Sequence, residues 1–306
     1  MAVTRKHSLW GVVADTTVIP SITSMGIVTG TQVVGVVTSG GVYKRFQSIA
    51  GQQPTAEFAT LAIDAALDAL PATGKNIADL SAGLLLYAQK HLQGGTRTTG
   101  AAHRKFTIAE GVIVPRQLAV SHLGDASLSY DVIVLYDGSN DPIVVTDSVA
   151  LPSDATESRF TIGTVKLGNV TLDHIRSLEI DFGLNAVTEG ADSEVWDRFC
   201  SIETIAPAVT LRGVDIEWLK AANIPLTGKE GTHANSIIYL RKRDQGGTFV
   251  ADGTAEHIKF TADGLITIGD VFSGSGSSAG EASVRMDLEY DGSNAPLTVD
   301  TTSEIA

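Results

Sequence analysis

The chain has 306 residues, of which 43% are hydrophobic, 31 are Gly and 9 are Pro, enough apolar material to bury a core without staples and too much for a disordered chain. It carries 22 basic and 35 acidic residues, a net charge of −13, which argues against tight nucleic-acid binding, because phosphate contacts need Lys and Arg. Its one cysteine, Cys200, excludes an intrachain disulfide framework and a Cys-rich zinc site, and no apolar run approaches the ~18 residues of a membrane span.

Charged residues are 19% of the chain, below the typical ~25%, as in chains that hide surface in an assembly. The segment Met1 to Trp10 is polar and basic with no apolar region after it, unlike a secretory signal. The expectation is a soluble chain made in a reducing cytoplasm.

The chain repeats itself. Leu86-Tyr-Ala-Gln-Lys-His-Leu-Gln-Gly-Gly-Thr96 returns as Ile238-Tyr-Leu-Arg-Lys-Arg-Asp-Gln-Gly-Gly-Thr248, and Tyr136-Asp-Gly-Ser-Asn-Asp-Pro142 as Tyr290-Asp-Gly-Ser-Asn-Ala-Pro296. Arg45-Phe-Gln-Ser-Ile49 matches Arg198-Phe-Cys-Ser-Ile202, and Leu70-Pro-Ala-Thr-Gly-Lys75 matches Ile224-Pro-Leu-Thr-Gly-Lys229. Ile22, Ile27 and Gly30 fall opposite Ile175, Ile180 and Gly183. The offsets stay at 152 to 154 and keep their order. That period far exceeds the ~20–50 residues of solenoid repeats, so each copy reads as a whole domain, 1–153 and 154–306. The boundary falls in the polar, turn-rich Pro152-Ser-Asp-Ala-Thr-Glu157.

In chain order, an alternating strand comes early in each copy. In the second copy Arg176, Leu178, Ile180, Phe182 and Leu184 face one way, and Ile175, Ser177, Glu179, Asp181 and Gly183 the other. A Gly- and acid-rich loop follows: Thr38, Ser39, Gly40 and Gly41 in the first copy, and Thr188 to Ser193, with Glu189, Gly190 and Asp192, in the second. Then comes a short helix over 61–70, with Ile63, Leu67 and Leu70 on one side and Pro71 as its stop. Its counterpart is Val214 to Asn223, ahead of Pro225. The last alternating strand holds Leu128, Tyr130, Val132, Val134 and Tyr136 on one face, with Val284, Met286, Leu288 and Tyr290 as counterparts, and Asp-Gly turns follow both. The expected fold is β-rich α+β: two tandem copies of a β-sandwich or half-barrel domain, each with one packed helix.

No residue pattern carries chemistry. Gly276-Ser-Ser-Ala-Gly280 has the spacing of a nucleophile elbow but sits in a Gly/Ser linker composition, without the strand before it or the helix after it. Gly74-Lys75 and Gly228-Lys229 lack the phosphate cradle. Asp137, Ser139 and Asp141 alternate like calcium ligands, but Ala295 replaces Asp141 in the second copy, and a turn is the better reading. His103 and His257, equivalent across the repeat, read as structural hydrogen-bond donors rather than ligands. Gln93-Gly-Gly-Thr96 and Gln245-Gly-Gly-Thr248 read equally as a shared contact loop or as a hairpin needing positive φ. No catalytic, metal or cofactor residues are expected, and no enzyme.

The succession of early strand, Gly-rich acidic loop, helix ending at Pro, Leu-Tyr-Ala-Gln-Lys with Gly-Gly-Thr, and terminal Tyr-Asp-Gly strand resembles bacteriophage tail tube proteins. The duplication resembles that of long-tailed phages whose tube subunit is a fused pair. The resemblance implies a sandwich-like domain whose inner sheet lines a tube. Six domains would complete a ring, so three chains would suffice, and the Gly-rich loops would reach an adjacent ring or subunit. With about four inner strands per domain at ~4.8 Å spacing the bore would measure ~37 Å between backbones, roughly room for a duplex. It further implies self-association, contacts with tape measure, tail tip and terminator proteins, no membrane, and DNA passing without specific binding in a virion tail assembled in the host cytoplasm.

On that reading the polar strand faces, with Glu179, Asp181, Asp287, Glu289 and Asp131, would line an acidic lumen that repels DNA. The acidity is uneven: residues 1–153 hold 10 basic and 11 acidic groups, and residues 154–306 hold 12 and 24. The alternatives are another virion component, such as a tail terminator or capsid decoration, or a soluble two-domain carbohydrate- or ligand-binding β protein.

Overall fold

The computed structural model describes residues 6–37, 39–92, 95–168, 170–190, 194–213, 232–246, 248–270, 273–274 and 280–306. The first half contains β1 (Lys6–Ala14), β2 (Thr17–Ile19), β3 (Ile22–Val28), β4 (Thr31–Val36), β5 (Phe46–Gln52), β6 (Thr55–Thr60), α1 (Ile63–Ala69), β7 (Lys75–Asn76), β8 (Leu84–His91), β9 (His103–Ile108), β10 (Gly111–Ser121), β11 (Ser127–Val134) and β12 (Val144–Val149). The second contains β13 (Arg159–Leu167), β14 (Val170–Leu172), β15 (Ile175–Asp181), β16 (Leu184–Gly190), β17 (Asp197–Ile205), β18 (Ala208–Gly213), β19 (Thr232–Arg243), β20 (His257–Ile268), β21 (Ala282–Leu288) and β22 (Leu297–Ser303). The fold is β-rich α+β with sandwich-like sheets, as expected, and among the described residues it holds one α-helix.

The pairing pattern of the first half recurs in the second. One layer of the first half runs β12-β9-β8-β1-β2, and the other runs β10-β11-β6-β3. In the second half β22, β20, β19, β13 and β14 pair in the order of the former. The order β20-β21-β18-β15 repeats the latter. The halves differ where the chain passes between layers. β9 and β10 are separated by Ala109 and Glu110, whereas β20 runs unbroken for 12 residues and pairs with strands of both layers. β15 pairs antiparallel with β10, Gln117 to Ser121 against Asp181 to Ser177, so among the described residues the two halves share one continuous sheet of thirteen strands.

The core lies between the layers. On β11 the alternation is clean: Leu128, Tyr130, Val132 and Val134 are buried. Tyr130 stacks on Phe58 of β6 with ring centroids 5.0 Å apart, and its hydroxyl donates to the Leu70 carbonyl at 3.2 Å. Burial pushes the Tyr130 phenol far above its ordinary pKa. That bond ties the sheet to α1, whose Ile63, Ala66 and Leu67 are buried along with Leu70. Each such large apolar side chain contributes about 1.5–3 kcal/mol. The helix is shorter than the apolar spacing predicts, because the chain leaves helical geometry at Leu70, ahead of Pro71. Its counterpart over 214–223 lies outside the described residues.

Three expectations need correction. The alternating strand read over 175–184 is preceded by β13 and β14, and it carries a bulge between Ile175 and Ser177, which inverts the phase at its start. Ile175 is therefore buried with Leu178 and Ile180, while Arg176 is exposed and pairs with Glu281 at 2.6 Å. Leu184 belongs to the next strand. Second, β11 and β21 are not the last strands of their halves, since β12 and β22 return after the Asp-Gly turns to pair with β9 and β20. Third, the described parts of the segments read as Gly-rich loops, 39–41 and 188–190, belong to two-stranded arms, β4–β5 and β16–β17, which form sheets of their own.

Candidate functional site

The arms begin at an equivalent pair of glycines. Gly30 and Gly183 have φ of +57° and +58°. A Cβ at Gly30 would lie 2.0 Å from the Gln53 carbonyl oxygen, and one at Gly183 would lie 1.9 Å from that of Ala206. The left-handed turn and the close approach both require glycine, and they aim each arm away from the sheet that precedes it. Ser39, Gly40 and Gly41 sit in the turn of the first arm, and Glu189 and Gly190 end β16 in the second. Thr38 and Asp192 lie outside the described residues.

The second arm is anchored on the first half. The Trp196 ring lies 4.9 Å from that of Tyr136, and the Arg198 guanidinium sits 5.2 Å over the same Tyr136 ring. The Tyr136 backbone N–H donates to the Asp197 carbonyl at 2.9 Å. The Trp196 indole N–H donates to Gln52 Oε1 at 2.8 Å, and Gln53 Nε2 donates to Asp197 Oδ2 at 3.2 Å. Leu184 and Ile202 pack against the turn at Gly74 that follows the helix. Sequence reasoning missed this cluster. Its signal was present in the repeated Arg-Phe-x-Ser-Ile, preceded by an aromatic residue two positions before the Arg in both copies, Tyr43 and Trp196.

The first arm meets the second at its base, where the Gln52 N–H donates to the Val195 carbonyl at 2.6 Å, but among the described residues no aromatic ring covers its Tyr43. It exposes Val33, Val34, Val36, Val37, Val42, Tyr43, Phe46 and Ile49. β3, from which it departs, pairs with β6 on one edge, and among the described residues no strand pairs its other edge. An exposed apolar surface beside an open strand edge is a liability for a monomer.

The predicted acidic residues share one surface. In the register of the continuous sheet, Glu179 lies opposite Ala119 and Thr210, Asp181 opposite Gln117 and Ala208, Asp287 opposite Ala208 and Leu265, and Asp131 opposite Glu57 and Val114. All point away from the core. Glu289 follows one alternation past Asp287, with its N–H donating to the Asp263 carbonyl at 3.0 Å. The surface is not purely acidic. Arg116 lies 3.7 Å from Asp131, Arg285 Nε donates to Asp287 at 2.7 Å, and Gln117 Nε2 donates to Glu179 at 2.6 Å. Burial raises the Asp131 carboxyl above its ordinary pKa, against the lowering by Arg116, and the nearby Glu57 raises it further. A cavity of about 470 Å3 opens where the base of the second arm crosses this face, lined by Glu57, Arg116, Asp131 and Leu184.

The other singled-out residues are structural. His103 and His257 are buried, and where donors were expected each accepts at Nδ1, from the Lys90 N–H at 3.1 Å and the Lys242 N–H at 3.0 Å, while His257 Nε2 faces the Ala251 carbonyl at 3.1 Å. Asp137 and Asp291 each close a turn, accepting N–H bonds from Ser139 and Asn140 at 2.7 Å and from Ser293 and Asn294 at 2.7 and 2.6 Å. Bonds from Leu92 N–H to the Thr96 carbonyl and from Asp244 N–H to the Thr248 carbonyl close equivalent turns at the Gly-Gly-Thr segments, of which Gln93, Gly94 and Gly247 lie outside the described residues. Residues 275–279 of the Gly-x-Ser-x-Gly match also lie outside them. Among the described residues no group of three or more His, Cys, Asp and Glu side chains could hold a metal ion, and no helix is long and apolar enough to cross a membrane. In comparison with known proteins, the chain matches no family model and no curated protein.

Proposed function

We propose that the chain is a structural subunit of a bacteriophage tail tube, built from a tandem duplication with its boundary at 153/154 and assembling as stacked trimeric, pseudo-hexameric rings. One observation carries the reading: β15 of the second half adds edge-on to β10 of the first, while among the described residues β3 keeps an open edge and its arm an uncovered apolar face. A join of that kind, repeated between chains, continues the sheet and closes it. The charged face would then become the wall of a channel. Its carboxylates outnumber its guanidinium groups, so DNA would gain few phosphate contacts and would slide rather than stick. The chain would act without catalysis in the virion tail, after assembly in the host cytoplasm, with tape measure, tip and terminator proteins at its ends.

Negative-stain electron microscopy of the purified chain tests this. Tubes or three-lobed rings with an axial channel are the expected result. Monomers at high concentration, or an oligomer without a channel, would overturn it.

A further inference from the structure

The contact that holds the second arm has an uncompleted twin. At the repeat offset Val42, Tyr43, Lys44 and Arg45 stand where Val195, Trp196, Asp197 and Arg198 stand, Tyr290 stands where Tyr136 stands, and Ile205 where Gln52 stands. Trp196 and Tyr136 cover each other, whereas Tyr43 is 83% exposed and Tyr290 62%. Val42 and Ile205 are exposed as well.

One chain cannot bring Tyr43 to Tyr290. Tyr43 belongs to the arm that leaves β3, and Tyr290 follows β21. Between β3 and β21 the sheet runs through β6, β11, β10, β15 and β18, a span of roughly 29 Å at ~4.8 Å per strand.

The residues that differ between the two versions supply the occupant. Where the internal contact sets Asp197 beside a tyrosine preceded by Leu135, the uncompleted one carries Lys44 on the arm and Glu289 before the tyrosine, while the Asp after the tyrosine, Asp137 or Asp291, is common to both. A basic arm thus faces an acidic receiving surface, which is charge complementarity between separate molecules. We infer that Tyr43 and Arg45 of one protomer dock on Tyr290 of a second copy of this chain, in the manner of Trp196 and Arg198 on Tyr136, with Lys44 against the Glu289 and Asp291 side of the tyrosine. This rests on the ring assembly proposed above and names its interface.

The test mixes two full-length chains, Tyr43→Cys and Tyr290→Cys, each also carrying Cys200→Ser, and adds a short bis-maleimide while light scattering follows assembly. Because each chain has one thiol, a covalent heterodimer reports a contact between copies. The expected result is that heterodimer in the mixture and none from either chain alone. A second arm compares Tyr290→Ala with wild type. Circular dichroism should be unchanged, since the side chain is exposed, and the concentration needed for assembly should rise about 30-fold or more, as for an aromatic hot spot. Assembly without the heterodimer, with Tyr290→Ala assembling like wild type, overturns this interface and leaves the ring standing. A wild-type chain that stays monomeric overturns both.

Discussion

Trp196 lies with its ring centroid 4.9 Å from that of Tyr136, so an aromatic residue of the second half rests on a turn of the first. The contact, with the Arg198 guanidinium over the same tyrosine, holds the second arm to the body of the chain. Trp196→Ala removes the stacked ring and the indole N–H bond to Gln52. The expected cost is about 1–3 kcal/mol, read from urea unfolding. The freed arm should also be cut faster by protease between β16 and β17.

Gly183→Ala forces a methyl group onto the Ala206 carbonyl and a non-glycine residue into a left-handed φ of +58°. The expected loss is about 2 kcal/mol or more. Gly30→Ala should match it, because its geometry against Gln53 is the same. Thermal unfolding of the two variants side by side checks the equivalence, and one tolerated and one severe substitution would deny it.

His103 gives the fold a pH dependence. Its pKa is lowered, first by burial and then by the charge of Lys90. The unfolded chain therefore takes up a proton near 6.5 while the folded imidazole stays neutral, so stability falls as pH drops through that value and levels off once the folded group protonates too. Urea midpoints at pH 7.5 and 5.5 should show this fall. His103→Ala should shrink it, at a cost of about 1–3 kcal/mol at pH 7.5 for the orphaned Lys90 N–H.

The Asp137 and Asp291 carboxyls sit below their ordinary pKa. For Asp137 the Asn140 side-chain bond is the largest cause, and for Asp291 the Asn294 N–H. Their stabilisation of the turns is complete above the ordinary carboxylate value and is lost as pH falls through the lowered one. Carbon-detected NMR titration should place both below the ordinary aspartate value. Asp291→Ala should speed amide exchange at Ser293 and Asn294.

Charge reversal tests the sheet surface. With Glu179, Asp181 and Asp287 replaced by Lys, the assembled protein should retain duplex DNA that wild type releases. The salt dependence should steepen by about 0.9 in log–log slope for each phosphate engaged.

Much of this architecture was legible because burial writes itself into the sequence. On β11 one face must be apolar, so Leu128 to Val134 alternated visibly, and α1 was marked by Ile63, Leu67 and the stop at Pro71. Period two assigned Glu179, Asp181 and Asp287 to the polar faces of their strands, the resemblance gathered them on one surface, and the register sets those strands side by side in one sheet. The arms were not legible for the converse reason. β4 and β5 bury little within the chain, so Val33, Val34, Phe46 and Ile49 follow no alternation against a local core. The bulge at Ile175 was invisible too, since it shifts phase without changing composition. The Tyr136–Trp196 contact joins positions 60 residues apart, and only the repeat hinted at it.

The unbroken course of β20 has a mechanical consequence. In the second half a load that drags one layer past the other pulls along a single covalent strand. In the first half the same displacement is absorbed by Ala109 and Glu110. The two halves are alike in pairing and unequal in stiffness, so shear along the molecule concentrates where β9 hands over to β10.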